Sequence, residues 1–385
     1  MEVENITFEP IPLHSALEII FETFNTFSSE KSPIYWLKGA PGIGKTSLIL
    51  EYCKKNNFIF RHINLGTIPL EMSSGLPYDK KTENGITVEW SIPSLIDFSN
   101  MPDIKQDTKI VYFIDDIHLA EINVQKIFFE LFTNKSLQGH KLRNNIYFIL
   151  ASNNNESSGY KKILAPVINR TIMLTINMNF EYWLTNFGIK NLPEEIISFL
   201  STYRSSIEEP ESNTEPFGTY RSWSEFGKVF QILKKTNNIT EENLIKYASG
   251  ITSKTNATDF ANHYFVYSKY NTKEFLLENQ KPNINIEDSE IITLTFSIAI
   301  AYRICELIKN NKLNIVKAYE KIEEYIKLIK NQMSATITLI TTIKSIEPDI
   351  INQLIDICYT NPYFSNDSLL KKTMMEITET FSNPN

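Results

Sequence analysis

The sequence predicts an α/β domain built on a mostly parallel sheet, followed by an α-helical lid and an α-helical C-terminal extension. Three observations predict it. A glycine loop at Gly39–Thr46 lies between an apolar run and a helical pattern. From Ile34 to about Leu174, short apolar runs alternate with helical patterns, as in a parallel sheet covered on both faces. From about Asn179 the strand signal fades and helical spacing takes over.

The expected strands are Ile34–Leu37, Phe58–Ile63, Ile110–Ile114, Ile146–Ala151 and Thr171–Leu174. Helical patterns follow Lys45, Ile92, Ala120 and Lys161. Further on, Glu194–Tyr203, Ser222–Lys235 and Glu241–Ser249 read as separate helices. The polar stretch Glu208–Thr219, with Pro210 and Pro216, reads as a loop. A second polar shift at Tyr270–Asp288 precedes an all-helical tail. There Ile315, Tyr319, Ile322, Ile326 and Ile329 keep one face apolar. Ser334–Ile343 is rich in β-branched residues, which weakens its helix signal. These shifts divide the chain into 1–178, 179–270 and 271–385.

With 42% hydrophobic and 12% aromatic residues the chain can fill a sizeable core. The formal net charge is −7, from 38 basic and 45 acidic residues, which argues against nucleic acid as the main partner. Three scattered cysteines, Cys53, Cys305 and Cys358, suit a reducing compartment, and a cytoplasmic location is expected. Five scattered histidines and no Cys-x-x-Cys pair leave no zinc site to expect. The acidic start Met1–Asn5 has no signal-peptide core, and the apolar run Ile291–Ala301 is short for a bilayer and reads as a buried helix. No membrane association is expected.

Gly39-Ala40-Pro41-Gly42-Ile43-Gly44-Lys45-Thr46 has the phosphate-loop pattern G-x-x-x-x-G-K-T, with Ser47 next in the helix. The glycines let successive backbone N–H groups point at a phosphate, and the helix beginning near Lys45 adds its positive end. Lys45 is expected at the β and γ phosphates and the Thr46 hydroxyl on Mg²⁺. Only 12 of 385 residues are glycine, yet three fall between Gly39 and Gly44, which argues against a chance turn.

Ile110-Val111-Tyr112-Phe113-Ile114-Asp115-Asp116 is an apolar strand ending in two acids. Asp115 is expected to hold Mg²⁺ through its water shell, and Asp116 to orient an attacking water. The run Ile146–Asn153 is a buried strand that ends in a polar tip, where an Asn can reach a γ-phosphate or the water. Asn154 and Asn155 follow, so the assignment within the run stays open.

In this order the motifs resemble an AAA+ ATPase, and within that class a MoxR-like one. The matching stretches are Gly39–Thr46, Leu65–Ile68 leading to Ser74-Gly75-Leu76-Pro77, Trp90–Pro93, Phe113–Ala120, Ala151–Asn153 and Asn169-Arg170. The resemblance covers about residues 10–265. It implies that Asn153 is the sensor 1 residue, Arg170 an arginine finger acting on a neighbouring subunit's nucleotide, and Arg221 a sensor 2 residue. It implies ATP and Mg²⁺ as cofactors, a homo-oligomeric ring that is expected to be hexameric, and remodelling of a protein substrate or adaptor such as a von Willebrand factor A-type chain. The family usually carries Asp-Glu where this chain has Asp115-Asp116, and the shorter acid leaves slow hydrolysis open. Two other classes stay open: a nucleic-acid-directed motor or loader, and a structural ring component that binds nucleotide with little turnover.

Overall fold

The computed structural model describes residues 9–83, 85–93, 107–137, 139–154, 161–210, 212, 214–284, 290–329, 332–360 and 370. It divides into two compact units, Met1–Asn179 and Phe180–Asn385.

The strands of the first unit are β1 (Ile11–Pro12), β2 (Ile34–Lys38), β3 (Ile59–Asn64), β4 (Pro77–Thr82), β5 (Gly85–Trp90), β6 (Ile110–Asp115), β7 (Ser136–Leu137), β8 (His140–Lys141), β9 (Ile146–Ser152) and β10 (Thr171–Asn177). Six of them form one sheet in the order β1-β10-β2-β9-β6-β3, every neighbouring pair parallel. The central strands are apolar on both faces. Every residue of β9 is buried, as is every residue of β6 before Asp115. A near-continuous apolar run suits a strand with helices on both sides.

The unit's helices are α1 (Leu13–Thr26), α2 (Lys45–Lys55), α3 (Leu70–Ser74), α4 (Ile122–Asn134) and α5 (Ala165–Ile168). α1 turns Leu13, Ala16, Leu17, Ile20, Phe21 and Phe24 inward, at the three-and-four spacing of one helical face. The helix expected after Lys161 is the short α5. The one expected after Ile92 lies outside the described residues. The segment between α3 and β6 holds a hairpin that the pattern did not suggest: β4 and β5 pair antiparallel, from Pro77↔Trp90 to Thr82↔Gly85. Its side chains are almost all exposed, and Lys80 and Tyr78 both donate to the Glu89 carboxylate on one face.

Register is what matters for function. Asn64 pairs with Asp115, Lys38 with Ser152, and Ile114 with Leu150. The carboxyl ends of β2, β3, β6 and β9 therefore share one edge of the sheet, where open α/β sheets gather ligand groups.

Among its described residues the second unit has helices and loops and no strand, with a π-type turn at Leu184–Gly188. Its helices are α6 (Phe180–Trp183), α7 (Ile189–Asn191), α8 (Glu194–Thr202), α9 (Tyr220–Lys235), α10 (Glu241–Ala248), α11 (Lys254–Tyr267), α12 (Thr272–Glu278), α13 (Glu290–Lys309), α14 (Ile315–Leu328), α15 (Met333–Ile346) and α16 (Pro348–Thr360). Thr219 caps α9 through a reciprocal bond pair with Ser222. The loop before α9 is anchored at Glu209, whose carboxylate accepts from Gly218 N, Thr252 Oγ1, Ser253 N and Asn256 Nδ2.

The apolar stripe of the tail is internal. Tyr319, Ile322, Ile326 and Ile329 are at most 2% exposed and join Phe296, Ile300, Leu339 and Ile343 in one core. α13 runs well past Ala301, and by length and composition alone it is long and apolar enough to cross a membrane; Phe296, Ile300, Ala301, Ile304, Cys305 and Leu307 are buried in that core. The β-branched stretch near Ser334 is helical because α15 buries Leu339, Ile340 and Ile343, so tertiary packing overrides propensity.

Candidate functional site

The phosphate loop leaves β2 at Lys38 and enters α2 at Lys45. Gly44 caps α2 in the left-handed region, with φ +87°, a conformation that glycine adopts without a Cβ clash. At Gly39 any Cβ would come within 2.8 Å of the Ile176 carbonyl oxygen, so only glycine fits against β10. The result is a curled loop ahead of an eleven-residue helix, the arrangement that binds anions through backbone N–H groups.

Lys45 is buried. Its ammonium donates to the Gly39 oxygen at 2.8 Å and the Ala40 oxygen at 3.0 Å, and lies 3.5 Å from Asn153 Oδ1. The loop's own carbonyls thus hold the cation inside the cradle, at the place where a phosphate would meet it. Asn153 takes its position from β9, which lies between β2 and β6. Asn154 follows it and is exposed, and Asn155 lies outside the described residues.

Thr46 Oγ1 donates to Asp115 Oδ2 at 3.3 Å, so the hydroxyl and carboxylate expected around Mg²⁺ already face each other. A hydroxyl and a carboxylate are the hard oxygen donors this ion takes, alongside water and phosphate oxygens, and they fit it. Among the described residues no three His, Cys, Asp or Glu side chains converge as a protein-only metal site.

Two residues that the sequence motifs did not single out join this edge. Asn64, the last residue of β3, donates to Asp116 Oδ2 at 2.8 Å and accepts from Gly66 N at 2.9 Å. His62, two residues earlier on the same face, places Nε2 3.2 Å from Asp115 Oδ2. The only signal for them was the register of β3 beside the acidic strand. Asp116 itself has a left-handed backbone, φ 55° and ψ 37°, as the residue preceding a short helical turn.

Lys45, Thr46, Asp115, Asp116 and Asn153 are thus brought to one strand edge. Ser47 follows in α2 with its side chain exposed. Arg170 is not in this hydrogen-bonded set. It is exposed just past α5, its guanidinium 4.5 Å over the Phe129 ring and donating to the Pro166 oxygen at 3.2 Å. Arg221 is exposed on α9 in the second unit.

No family model matches the chain, and no curated protein matches it. Among solved structures, a Thermotoga maritima RuvB titled a Holliday junction branch migration motor is 11% identical. The match covers 71% of this chain and 78% of that one, at a TM-score of 0.37. Two single-residue mutants of that RuvB are each 13% identical, with TM-scores of 0.35 and 0.38, and the matches cover 85% and 84% of this chain and 88% and 86% of theirs. With identities this low and TM-scores below 0.5, these likenesses assign no activity, and the site stands on the chain's own sheet edge and loop.

Proposed function

We propose that the chain binds ATP with Mg²⁺ and hydrolyses it as an AAA+ ATPase. One observation carries the reading: a glycine-cradled Lys45 and a Thr46–Asp115 contact of 3.3 Å lie on one strand edge, with Asp116 next in the chain. On this reading Lys45 exchanges the Gly39 and Ala40 carbonyls for the β and γ phosphates, and Thr46 and Asp115 hold the ion. When bound, Mg²⁺ supplies positive charge to the phosphate oxygens. Asp116 accepts a hydrogen bond from the attacking water, and Asn153 orients that water or the γ-phosphate. Water adds to the γ-phosphorus as its bond to the β–γ bridging oxygen breaks, the water's proton ends on the phosphate formed, and ADP and inorganic phosphate leave.

The MoxR-like assignment, a ring with Arg170 acting in trans, and remodelling of a protein partner belong to the same proposal. Their support is the order of the sequence motifs, together with an exposed arginine that is free of its own subunit's phosphate site. The role of Arg221 rests on the motif resemblance alone, and the division of residues 179–385 into a lid (179–270) and an extension (271–385) rests on the composition shift at Tyr270–Asp288. A second reading, a nucleotide switch with little turnover, is favoured by Asn64, which holds the Asp116 carboxylate at 2.8 Å.

The test is phosphate release measured alongside ATP binding by calorimetry, for wild type and Asp116→Asn. Micromolar binding with turnover that falls at least about 10²-fold in the variant is expected for a water-orienting acid. Binding with no turnover in wild type would leave the switch. Absence of ATP binding would sink both.

A further inference from the structure

The edge strand β3 brings a nitrogen donor to the proposed ion site. Phe60, His62 and Asn64 alternate onto one face of it. The His62 ring stacks at 5.4 Å and 22° on Phe113, and at 6.2 Å and 18° on Phe60, so its plane is fixed. Its side chain is 40% exposed, which leaves the ring edge open to an incoming ion. Two atoms flank Asp115 Oδ2: His62 Nε2 at 3.2 Å and Thr46 Oγ1 at 3.3 Å.

Those spacings have a meaning in coordination geometry. Ligands at right angles around an octahedral ion with bonds of about 2.1 Å lie about 3 Å apart, and slightly farther for a larger ion. The hydroxyl and the imidazole therefore both stand at the distance of octahedral neighbours of one carboxylate oxygen. In its Nδ1–H tautomer the ring presents the Nε2 lone pair to that edge. Hydroxyl, carboxylate and phosphate oxygens suit Mg²⁺. An imidazole nitrogen favours first-row transition ions, whose affinity for such a site rises from Mn²⁺ to Co²⁺ and beyond.

We propose that, with nucleotide bound, His62 ligates the divalent ion through Nε2 and tilts the site's preference from Mg²⁺ toward transition-metal ions. The proposal rests on the ATP-site reading above. Since the protein offers no complete metal site among its described residues, the ion binds weakly without nucleotide.

The experiment loads the full chain with Mn²⁺ and a non-hydrolysable ATP analogue, after calorimetry has shown that the analogue binds. Pulsed electron paramagnetic resonance then looks for a nitrogen coupled to Mn²⁺, and competition with Mg²⁺ gives the affinity ratio. Wild type should show imidazole nitrogen coupling that His62→Gln and His62→Asn both lose. The Mn²⁺-to-Mg²⁺ preference should fall about tenfold in each variant while thermal unfolding measured without a divalent ion is kept. Two variants guard against a folding defect in one, and the exposed ring makes such a defect small. A bound Mn²⁺ without nitrogen coupling in wild type, coupling that persists in both variants, or an unchanged ion preference would overturn the assignment of His62. Failure of the analogue to bind wild type at all, to the level of Lys45→Ala, would instead overturn the ATP site, and the inference with it.

Discussion

The α/β unit carries its polar groups at strand tips, where Lys45, Thr46, Asp115, Asp116 and Asn153 meet over an apolar sheet. The helical unit buries ionisable groups between helices instead. Burial beside Glu195 pushes the Glu194 carboxyl up to about 7, burial pulls His263 down to about 4, and burial with nearby Glu194 pushes the Tyr302 hydroxyl far up. Glu194 lines a cleft with Leu192, Pro193, Lys190, Lys234 and Lys235, with no glycine loop or strand edge among them. His263 simply meets the Ser198 hydroxyl at 3.0 Å inside the packing of α8 and α11. In the helical unit these displaced ionisations accompany burial between helices, whereas the α/β unit gathers converging donors and acceptors on a glycine-curled edge.

If that contrast is right, changes in the two units should fail differently. Lys45→Ala should weaken ATP binding by more than about 10³-fold, because the buried ammonium is the fixed positive charge of the cradle. Thermal unfolding should change little. Retained micromolar affinity would break the phosphate-loop assignment.

Arg170→Ala should leave ATP binding intact and lower turnover about 10³-fold, the effect of an arginine that neutralises charge in the transition state. Co-assembly of Arg170→Ala with Asp116→Asn subunits should restore some turnover, since certain interfaces then combine an intact acid with an intact arginine. Proven mixed rings with no recovery would mean that Arg170 does not act across subunits.

Trp223→Ala in the helical unit should do the reverse. Trp223 is fully buried, packs on Phe199, Phe226 and Phe260, and donates to the Ser206 oxygen at 2.7 Å. Its truncation should cost about 3–5 kcal/mol in denaturant unfolding while ATP affinity stays at the wild-type value. A large loss of ATP affinity at temperatures where the variant stays folded would dissolve the contrast.

The smallest effect is expected at Glu194. Its folded pKa of about 7 lies above its ordinary 4.5, so between those pH values the folded chain keeps a proton that the unfolded chain has released. Stability should therefore fall as pH rises from about 4.5 to about 7, then level off, by on the order of 1–3 kcal/mol given partial exposure. Glu194→Gln should flatten that slope in unfolding curves taken across the window. An undiminished slope would mean that Glu194 does not carry the buried proton.

Much of this was legible in the sequence because a short motif fixed local geometry. The expected strands Ile34–Leu37 and Ile110–Ile114 lie within β2 and β6, and the expected Phe58–Ile63 differs from β3 by one residue at each end. The β4–β5 hairpin was not foreseen because its strands turn almost no residue into a core, although Ile86, Val88 and Trp90 alternate with Thr87 and Glu89. Asn84-Gly85, a dipeptide favoured in tight hairpin turns, was the local signal for it. His62 and Asn64 were invisible for a different reason. Their importance comes from the register of β3 against β6, a long-range pairing that a linear pattern does not encode. In the tail, the periodic stripe at Tyr319, Ile322 and Ile326 gave the helix but not its covering, which comes from helices before and after it in the chain.

The left-handed backbone at Asp116 acts as a filter on which acid can occupy the position. Among residues with a side chain, aspartate and asparagine enter that region most readily, because a short polar side chain can bond its own backbone. A glutamate would extend one methylene farther toward a water, yet it would sit in a conformation that costs longer side chains roughly 1 kcal/mol or more. Reach and backbone comfort thus pull in opposite directions at this one residue. A Glu exchange there should trade folding stability for catalytic reach, and the shorter acid is the one that this turn holds at rest.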